Sequence, residues 1–302
     1  MRNIFIVNPH AGAENKVRKI REAVDELPSY TFAEVYETTG VGDATDFIRK
    51  WSIEHPEEEV RFIACGGDGT VNEVVNGVVR NPKASFSVFP CGSGNDFVKA
   101  FGGADRFLDF EALVSCEAKP MDLLKVGDRY ADNVVHFGFD TYVARVINEN
   151  RAKTGHGNKN DYMKGVMKAM LHGRKNEIRI IADGELLNPD GIAMLCTVGN
   201  GQYVGGQFRC APRAKVDDGL MEVCVVKPVS IPRFVKLLKP YTNGEHLDRE
   251  DMKDMLVYRQ AKQVEVQAPK GFAYSLDGEV IEENHFLIEI EENAIQIAVP
   301  ER

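Results

Sequence analysis

Val60-Arg61-Phe62-Ile63-Ala64-Cys65-Gly66-Gly67-Asp68-Gly69-Thr70-Val71-Asn72-Glu73-Val74-Val75 reads as a strand, a turn and a helix in immediate succession. Val60 to Cys65 is an apolar run of buried-strand length, and Val71, Val74, Val75 and Val78 recur at helical spacing. Between them lie Gly66, Gly67, Asp68, Gly69 and Thr70. A glycine-rich turn at that place brings backbone N–H groups close to a phosphate. Asp68 adds a carboxylate where a magnesium–phosphate complex can meet it. Taken alone, the pentapeptide also reads as a sharp turn with no ligand, because glycine permits positive φ wherever a chain must bend.

The same alternation extends on both sides. Ile4 to Val7 is a strand, and Val17, Ile20, Val24 and Leu27 mark a helix. Thr31 to Glu37 is strand-like, Ala44, Phe47, Ile48 and Trp51 fall on one helical face, and Ala84 to Pro90 is a further strand. Alternating strands and helices predict a doubly wound, mostly parallel α/β sheet that binds its ligand at the carboxyl ends of the strands. The loops at those ends are Asn8-Pro9-His10-Ala11-Gly12, the glycine pentapeptide, and Pro90-Cys91-Gly92-Ser93-Gly94-Asn95-Asp96.

After about Asp122 the texture changes to short segments of period two: Tyr130 to His136, Glu177 to Asp183, Ile192 to Val198, Leu220 to Val226, Gln263 to Gln267 and Phe286 to Ile290. One helix is expected among them, with Tyr162, Met163, Val166, Met167 and Met170 as its apolar face. The fold expected is therefore α/β plus β. Residues 1–123 form an N-terminal α/β domain, and residues 124–290 form an antiparallel β-sandwich-like domain. No Pro/Gly linker separates them, which predicts closely packed domains.

The formal net charge of −9 opposes general nucleic-acid binding. No stretch approaches the roughly 20 continuous apolar residues of a membrane span. The six cysteines are scattered without a CxxC pair, which argues against zinc and disulfides and fits a reducing cytosol. The N-terminus enters a strand too quickly for a signal peptide. Residues 151–175 depart from the acidic average, with Arg151, Lys153, Lys159, Lys164, Lys168, Arg174 and Lys175 against Asp161 alone. That segment is either a solvated helix face or a patch for an anionic membrane or phosphate-bearing ligand.

Phosphoryl transfer needs a phosphate cradle, a magnesium-binding carboxylate and a base for the attacking hydroxyl. Asp68, Asp96 and Asp122 each follow a predicted strand or turn and are candidates for an acidic cluster. Asp217-Asp218-Gly219 is a hairpin turn or a site for an oxygen-seeking cation. Glu279, in Leu276-Asp277-Gly278-Glu279, is a solvated residue after a turn or a base aimed between the domains.

These motifs together resemble the diacylglycerol kinase-type lipid kinase family, in its soluble bacterial branch. The resemblance rests on Asn8-Pro9-x-Ala11-Gly12, on Gly66-Gly67-Asp68-Gly69-Thr70 continued by Val71-Asn72-Glu73-Val74-Val75-Asn76-Gly77, and on Pro90-x-Gly92-Ser93-Gly94-Asn95-Asp96-Phe97. Asp122-Leu123, Gly205-Gly206, the Ala211-Pro212 to Asp217-Asp218-Gly219-Leu220 run and Asp277-Gly278-Glu279 follow in family order. The resemblance implies that Asn8, Pro9, His10, Ala11, Gly12, Thr38, Gly66, Gly67, Asp68, Gly69, Thr70, Gly92 and Ser93 hold ATP. It implies that Asp68, Asp96 and Asp122 organise a catalytic Mg2+, that Glu279 is the general base, and that Lys164 enters the site from the second domain. A structural Mg2+ would be held by Asp218 with the carbonyls of Lys215 and Leu220. The last strand, within residues 291–302, would return to the first domain.

Two positions depart from the pattern: Ala13 stands where the family often has a basic residue, with Lys16 one turn further on, and Ser93 replaces threonine. The expected protein is a cytoplasmic lipid kinase, peripheral to the inner face of the membrane. Its expected acceptor is a lipid, with diacylglycerol the default, and its expected surface partner is a transient anionic membrane. A homodimer is left open. An NAD kinase shares the glycine turn, and a non-catalytic nucleotide- or lipid-binding module would keep the same fold.

Overall fold

The computed structural model describes residues 1–12, 15–139, 141–143 and 173–301. Its first part alternates as β1 (Arg2–Val7), α1 (Lys16–Asp25), β2 (Phe32–Glu37), α2 (Asp43–Glu54), β3 (Val60–Gly66), α3 (Asp68–Val78), β4 (Ala84–Pro90), α4 (Asp96–Lys99) and α5 (Phe110–Ser115). Strands β2, β1, β3 and β4 lie side by side in that order and pair in parallel. Every residue of β3 is buried, as befits a central parallel strand covered on both faces. Arg61 is the exception of type, not of burial. Its guanidinium donates to the carbonyls of Leu113 (2.8 Å) and Cys116 (2.7 Å), so a buried cation satisfies the C-terminal end of α5.

The remaining elements are β5 (Ala118–Val126), β6 (Arg129–Ala131), β7 (Val134–Gly138), β8 (Asn176–Glu177), β9 (Arg179–Ala182), β10 (Glu185–Leu186), β11 (Ile192–Ala193), β12 (Leu195–Gly199), β13 (Met221–Val226), α6 (Ile231–Asn243), β14 (Leu256–Ala261), β15 (Gln263–Gln267), β16 (Ala273–Leu276), β17 (Glu279–Glu282) and β18 (His285–Ala298). An antiparallel sheet runs β14-β13-β12-β7-β16-β17. The 14-residue β18 joins the two halves. Phe286 and Ile288 belong to the second core with Leu124 and Val126, whereas Ile295 and Ile297 belong to the first with Met121 and Leu123. Between these ends, β18 shifts register against β5 around Asn293, whose φ is +53°.

Several segments differ from expectation. Tyr130 to His136 is two strands, because the N–H groups of Asp132 and Asn133 turn out of the ladder to the Asp277 carboxylate. Glu177 to Asp183 breaks at Ile178, where β8 pairs with β11 but β9 pairs with β15. Ile192 to Val198 breaks at Met194 for the same reason, as the chain passes from the β8 pairing to the β7 and β13 pairings. Phe286 to Ile290 and the returning strand are one element, β18. Helix α6 was not anticipated; its apolar face packs Phe234 and Leu237 against Phe139, Met194 and Met255. The expected helix at 162–170 lies outside the described residues.

Candidate active site

The loops that follow β1, β3 and β4 meet at one edge of the parallel sheet. Asn8 donates its N–H to Cys65 O (3.1 Å) and its side-chain amide to Thr70 Oγ1 (3.3 Å), which ties the 8–12 loop to the glycine turn. His10 N–H donates to Asn8 Oδ1 (2.9 Å), and Thr38 N–H donates to Val7 O (2.9 Å). Lys16 reaches back to donate to Ala11 O (2.7 Å), so its ammonium lies beside this loop. Ala13 lies outside the described residues.

The two glycine turns touch through bare backbone. A Cβ on Gly92 would stand 2.5 Å from Gly67 Cα, and one on Gly66 would collide with Thr70 Oγ1 at 2.1 Å. Only hydrogen fits at such distances, so these glycines are set by packing. Gly69 is different. A Cβ there would meet nothing within 4 Å, leaving open space over the first turn of α3, where N–H groups lack intrahelical acceptors. Gly12 has φ +84° and approaches Cys91 O. Ser93 is exposed at the rim, and Gly92 and Asn95 exchange hydrogen bonds at 2.9 Å in both directions to close its loop.

Asp68 sits at the centre. Its Oδ1 accepts the N–H of Asp96 (2.6 Å) and of Phe97 (3.5 Å), while Oδ2 faces Gly94, where a Cβ would stand 2.7 Å away. Burial, with the neighbouring Asp96 charge second, raises the Asp68 pKa from its ordinary value. Asp96 turns to the second domain. Both its oxygens accept Gly206 N–H at 3.0 Å, and Lys99 Nζ, 2.6 Å from Asp96 Oδ1, also donates to Gly206 O at 2.6 Å. The Gly205-Gly206 motif thus acts as a backbone clamp on the Asp96–Lys99 pair.

Asp122 is placed elsewhere. Its Oδ2 accepts Gly219 N–H (2.7 Å) and its Oδ1 accepts Asn293 N–H (2.7 Å). It therefore supports the Asp-Asp-Gly loop and the β18 irregularity, and no hydrogen bond links it to Asp68 or Asp96 among the described residues. In that loop Asp218 Oδ1 accepts Leu220 N–H (3.2 Å), and Lys215 lies at the exposed start of the same turn. The oxygen donors there, one carboxylate with the Lys215 and Leu220 carbonyls, are of the type a hard cation takes. Among the described residues no group of three or more His, Cys, Asp or Glu side chains could hold a metal.

Glu279 opens β17, is 61% exposed, and pairs with Arg129 at 2.6 Å. Lys164 lies outside the described residues, as do residues 151–172 of the basic segment. Sequence reasoning passed over a further set: Asn72, Asp132 and Asp277, which join α3 to the second domain. Asn72 belongs to the quoted motif, but nothing in its type announces a partner beyond residue 270.

A mostly parallel sheet carrying paired glycine turns and a shared aspartate, backed by an antiparallel second domain, defines a two-domain phosphotransferase architecture. The diacylglycerol kinase catalytic domain family matches residues 2–126, and the YegS C-terminal NAD kinase beta sandwich-like domain family matches residues 133–299. The chain belongs to the diacylglycerol kinase-type lipid kinase family. It is 28% identical over 279 residues to a diacylglycerol kinase of Bacillus subtilis (strain 168), covering 91% of this chain and 88% of that one. A diacylglycerol kinase of Staphylococcus carnosus (strain TM300) is likewise 28% identical, over 91% of this chain and 87% of its own. A solved structure of a Bacillus anthracis str. Sterne diacylglycerol kinase shares the fold with TM-score 0.74 and 21% identity, covering 99% of this chain and 96% of that chain. No helix among the described residues is long and apolar enough to cross a membrane.

Proposed function

We propose that this lipid kinase transfers the γ-phosphoryl group of ATP to the primary hydroxyl of a lipid, with diacylglycerol as acceptor, phosphatidic acid as product and Mg2+ required. The observation that carries the reading is the contact of the two glycine turns at the start of α3, with Asp68 beside the open space over Gly69. The names of the relatives support the acceptor.

In this reading Asn8, Pro9, His10, Ala11, Gly12, Thr38, Gly66 to Thr70, Gly92 and Ser93 surround the nucleotide, and Lys16 supplies the cation that position 13 lacks. Bound magnesium supplies neutralisation of phosphoryl charge. Asp68 suits it best, since Asp96 and Asp122 already accept N–H groups at both oxygens. Asp218, with the carbonyls of Lys215 and Leu220, would hold a second, structural ion. Glu279 takes the proton of the acceptor hydroxyl after release from Arg129, whose guanidinium occupies Glu279 Oε1. Lys164 is assigned a role in the site by family pattern alone.

An anionic membrane is the surface partner. Helix α6 exposes Ile231, Val235 and Leu238 along one stripe, and Lys236 and Lys239 lie one position further round. An apolar stripe edged by lysines complements acidic headgroups.

The test incubates the purified chain with labelled ATP and Mg2+, offering diacylglycerol, ceramide or a sphingoid base in anionic vesicles, and NAD in a parallel reaction. Labelled phosphatidic acid is the expected product, with Glu279→Gln slowed about 100-fold or more. Labelled NADP with no lipid product would sink the proposal.

A further inference from the structure

A helix and two turns from distant parts of the chain converge near Asp68. Asn72 lies one helical turn along α3, Asp132 occupies the β6–β7 turn, and Asp277 occupies the β16–β17 turn with φ +45°. Asp277 accepts four N–H groups. Asp132 N (2.8 Å), Asn133 N (3.4 Å) and Asn72 Nδ2 (3.0 Å) reach Oδ2, and Val134 N (2.7 Å) reaches Oδ1. That environment suits an ionised carboxylate.

Asp132, 3% exposed, is furnished differently. Its Oδ1 accepts from Asn72 Nδ2 at 3.4 Å, the same amide nitrogen that donates to Asp277 Oδ2 at 3.0 Å, so the two carboxyls lie together around one side-chain donor. Two buried carboxyls gathered around one amide are not both ionised, so the pair holds a proton. The carboxyl poor in N–H donors is the one to carry it. Burial, with the Asp277 charge second, pushes the Asp132 pKa well above the usual range, and Asp68 adds to this. The amide of Asn72 is oriented by Asn76, whose Nδ2 donates to Asn72 Oδ1 (3.2 Å), so Asn72 can only present N–H to the pair.

We propose that Asp132 is a positioning residue in protonated form: it donates to Asp277 and, with Asn72, fixes the Asp-Gly-Glu turn against the helix that carries Asp68. The kinetic consequence rests on the proposed role of Glu279, which this turn presents. The hydrogen-bond asymmetry itself does not depend on that role.

The asymmetry makes two isosteric changes unequal. In Asp132→Asn the new amide donates to Asp277 while its oxygen still accepts from Asn72. In Asp277→Asn an NH2 group must face incoming N–H donors. Asp132→Ala should lower lipid-kinase kcat tenfold or more, with KM for ATP within about twofold, because displacement of a reacting group acts on the chemical step. Asp132→Asn should restore most of that loss, whereas Asp277→Asn should lose about 100-fold. If Asp277→Asn fails to fold, Asn72→Ala removes a donor to the same carboxylate and should repeat the kcat loss.

Infrared difference spectra of wild type against Asp132→Asn provide a readout independent of the acceptor, and a protonated-carboxyl band should be present in the wild type alone. The proposal is overturned if Asp132→Asn loses as much activity as Asp277→Asn, if Asp132→Ala keeps wild-type kcat, or if that band is absent. If no lipid is turned over by the wild type but the band is present, the functional reading fails and the asymmetric pair stands.

Discussion

The two sides of the interdomain seam are built from different materials. On the first side, the close approaches are backbone: Gly67 and Gly92 touch without side chains, and the first turn of α3 has open space at the Gly69 Cβ position. The second side is instead reached by side chains that span long separations in sequence. Asp96 and Asp122 reach from the first domain to the backbone N–H groups of Gly206, Gly219 and Asn293, and Asn72 reaches to the Asp277 carboxylate. Backbone recognition needs glycine at fixed spacing and so leaves a contiguous motif. Side-chain bridging needs one suitable residue anywhere in the chain, and leaves none.

Five substitutions, the last read as a function of pH, test that contrast. The largest effect is expected at Asp68, the one acidic residue that belongs to the motif, faces Gly94 and is not committed to the second domain. Asp68→Ala should reduce kcat about 1000-fold while circular dichroism stays native; turnover within tenfold of wild type would place the essential carboxylate on the other side. Next come two glycines of the same side. Gly92→Ala forces a Cβ to 2.5 Å from Gly67 Cα and should lower both stability and ATP affinity. Gly69→Ala meets nothing in the fold, so thermal stability should hold or rise by up to about 1 kcal/mol while ATP binding weakens. Unchanged ATP binding in Gly69→Ala, measured by titration calorimetry, would mean that the open space is not the phosphate site.

Arg61→Met separates packing from chemistry. The guanidinium holds two carbonyls at the end of α5 far from the glycine turns, so urea unfolding should show a loss of about 3 kcal/mol with KM for ATP unchanged. The smallest effect concerns pH. Burial pushes His136 and His246, both in the second domain, down to about 4. Their unfolded value is about 6.5, so below that pH the unfolded chain takes up protons that the folded chain refuses. The contribution of these two histidines to stability should be level above pH 6.5 and fall progressively toward pH 4. His136→Asn should make that fall shallower in urea titrations at pH 7 and pH 5; an unchanged slope would show that His136 is not responsible.

Most of the first domain was legible. Alternating apolar periods placed β1, α1, β2, α2, β3, α3 and β4 within a few residues, because each element is set by local pattern. The second domain was legible as antiparallel but not in its breaks. Asp132-Asn133, Ile178 and Met194 interrupt segments that read as single strands, since the interruption is a change of pairing partner rather than of propensity. Helix α6 did carry signals that went unused: Ser230 with Pro232 at its start and Gly244, at φ +76°, just past its end.

The amino-acid sequence by itself determined the glycine turns, the parallel order that brings their loops to one edge, and the family. These follow from local conformational requirements and from period, which are written in neighbouring residues. Only the tertiary structure decided which aspartate serves which purpose. Asp68, Asp96, Asp122, Asp132 and Asp277 are one residue type, and what separates them is the donor that arrives from elsewhere in the chain: Lys99 and Gly206, Gly219 and Asn293, or Asn72. A carboxylate's role is set by the charge and N–H groups around it, and those are assembled by folding.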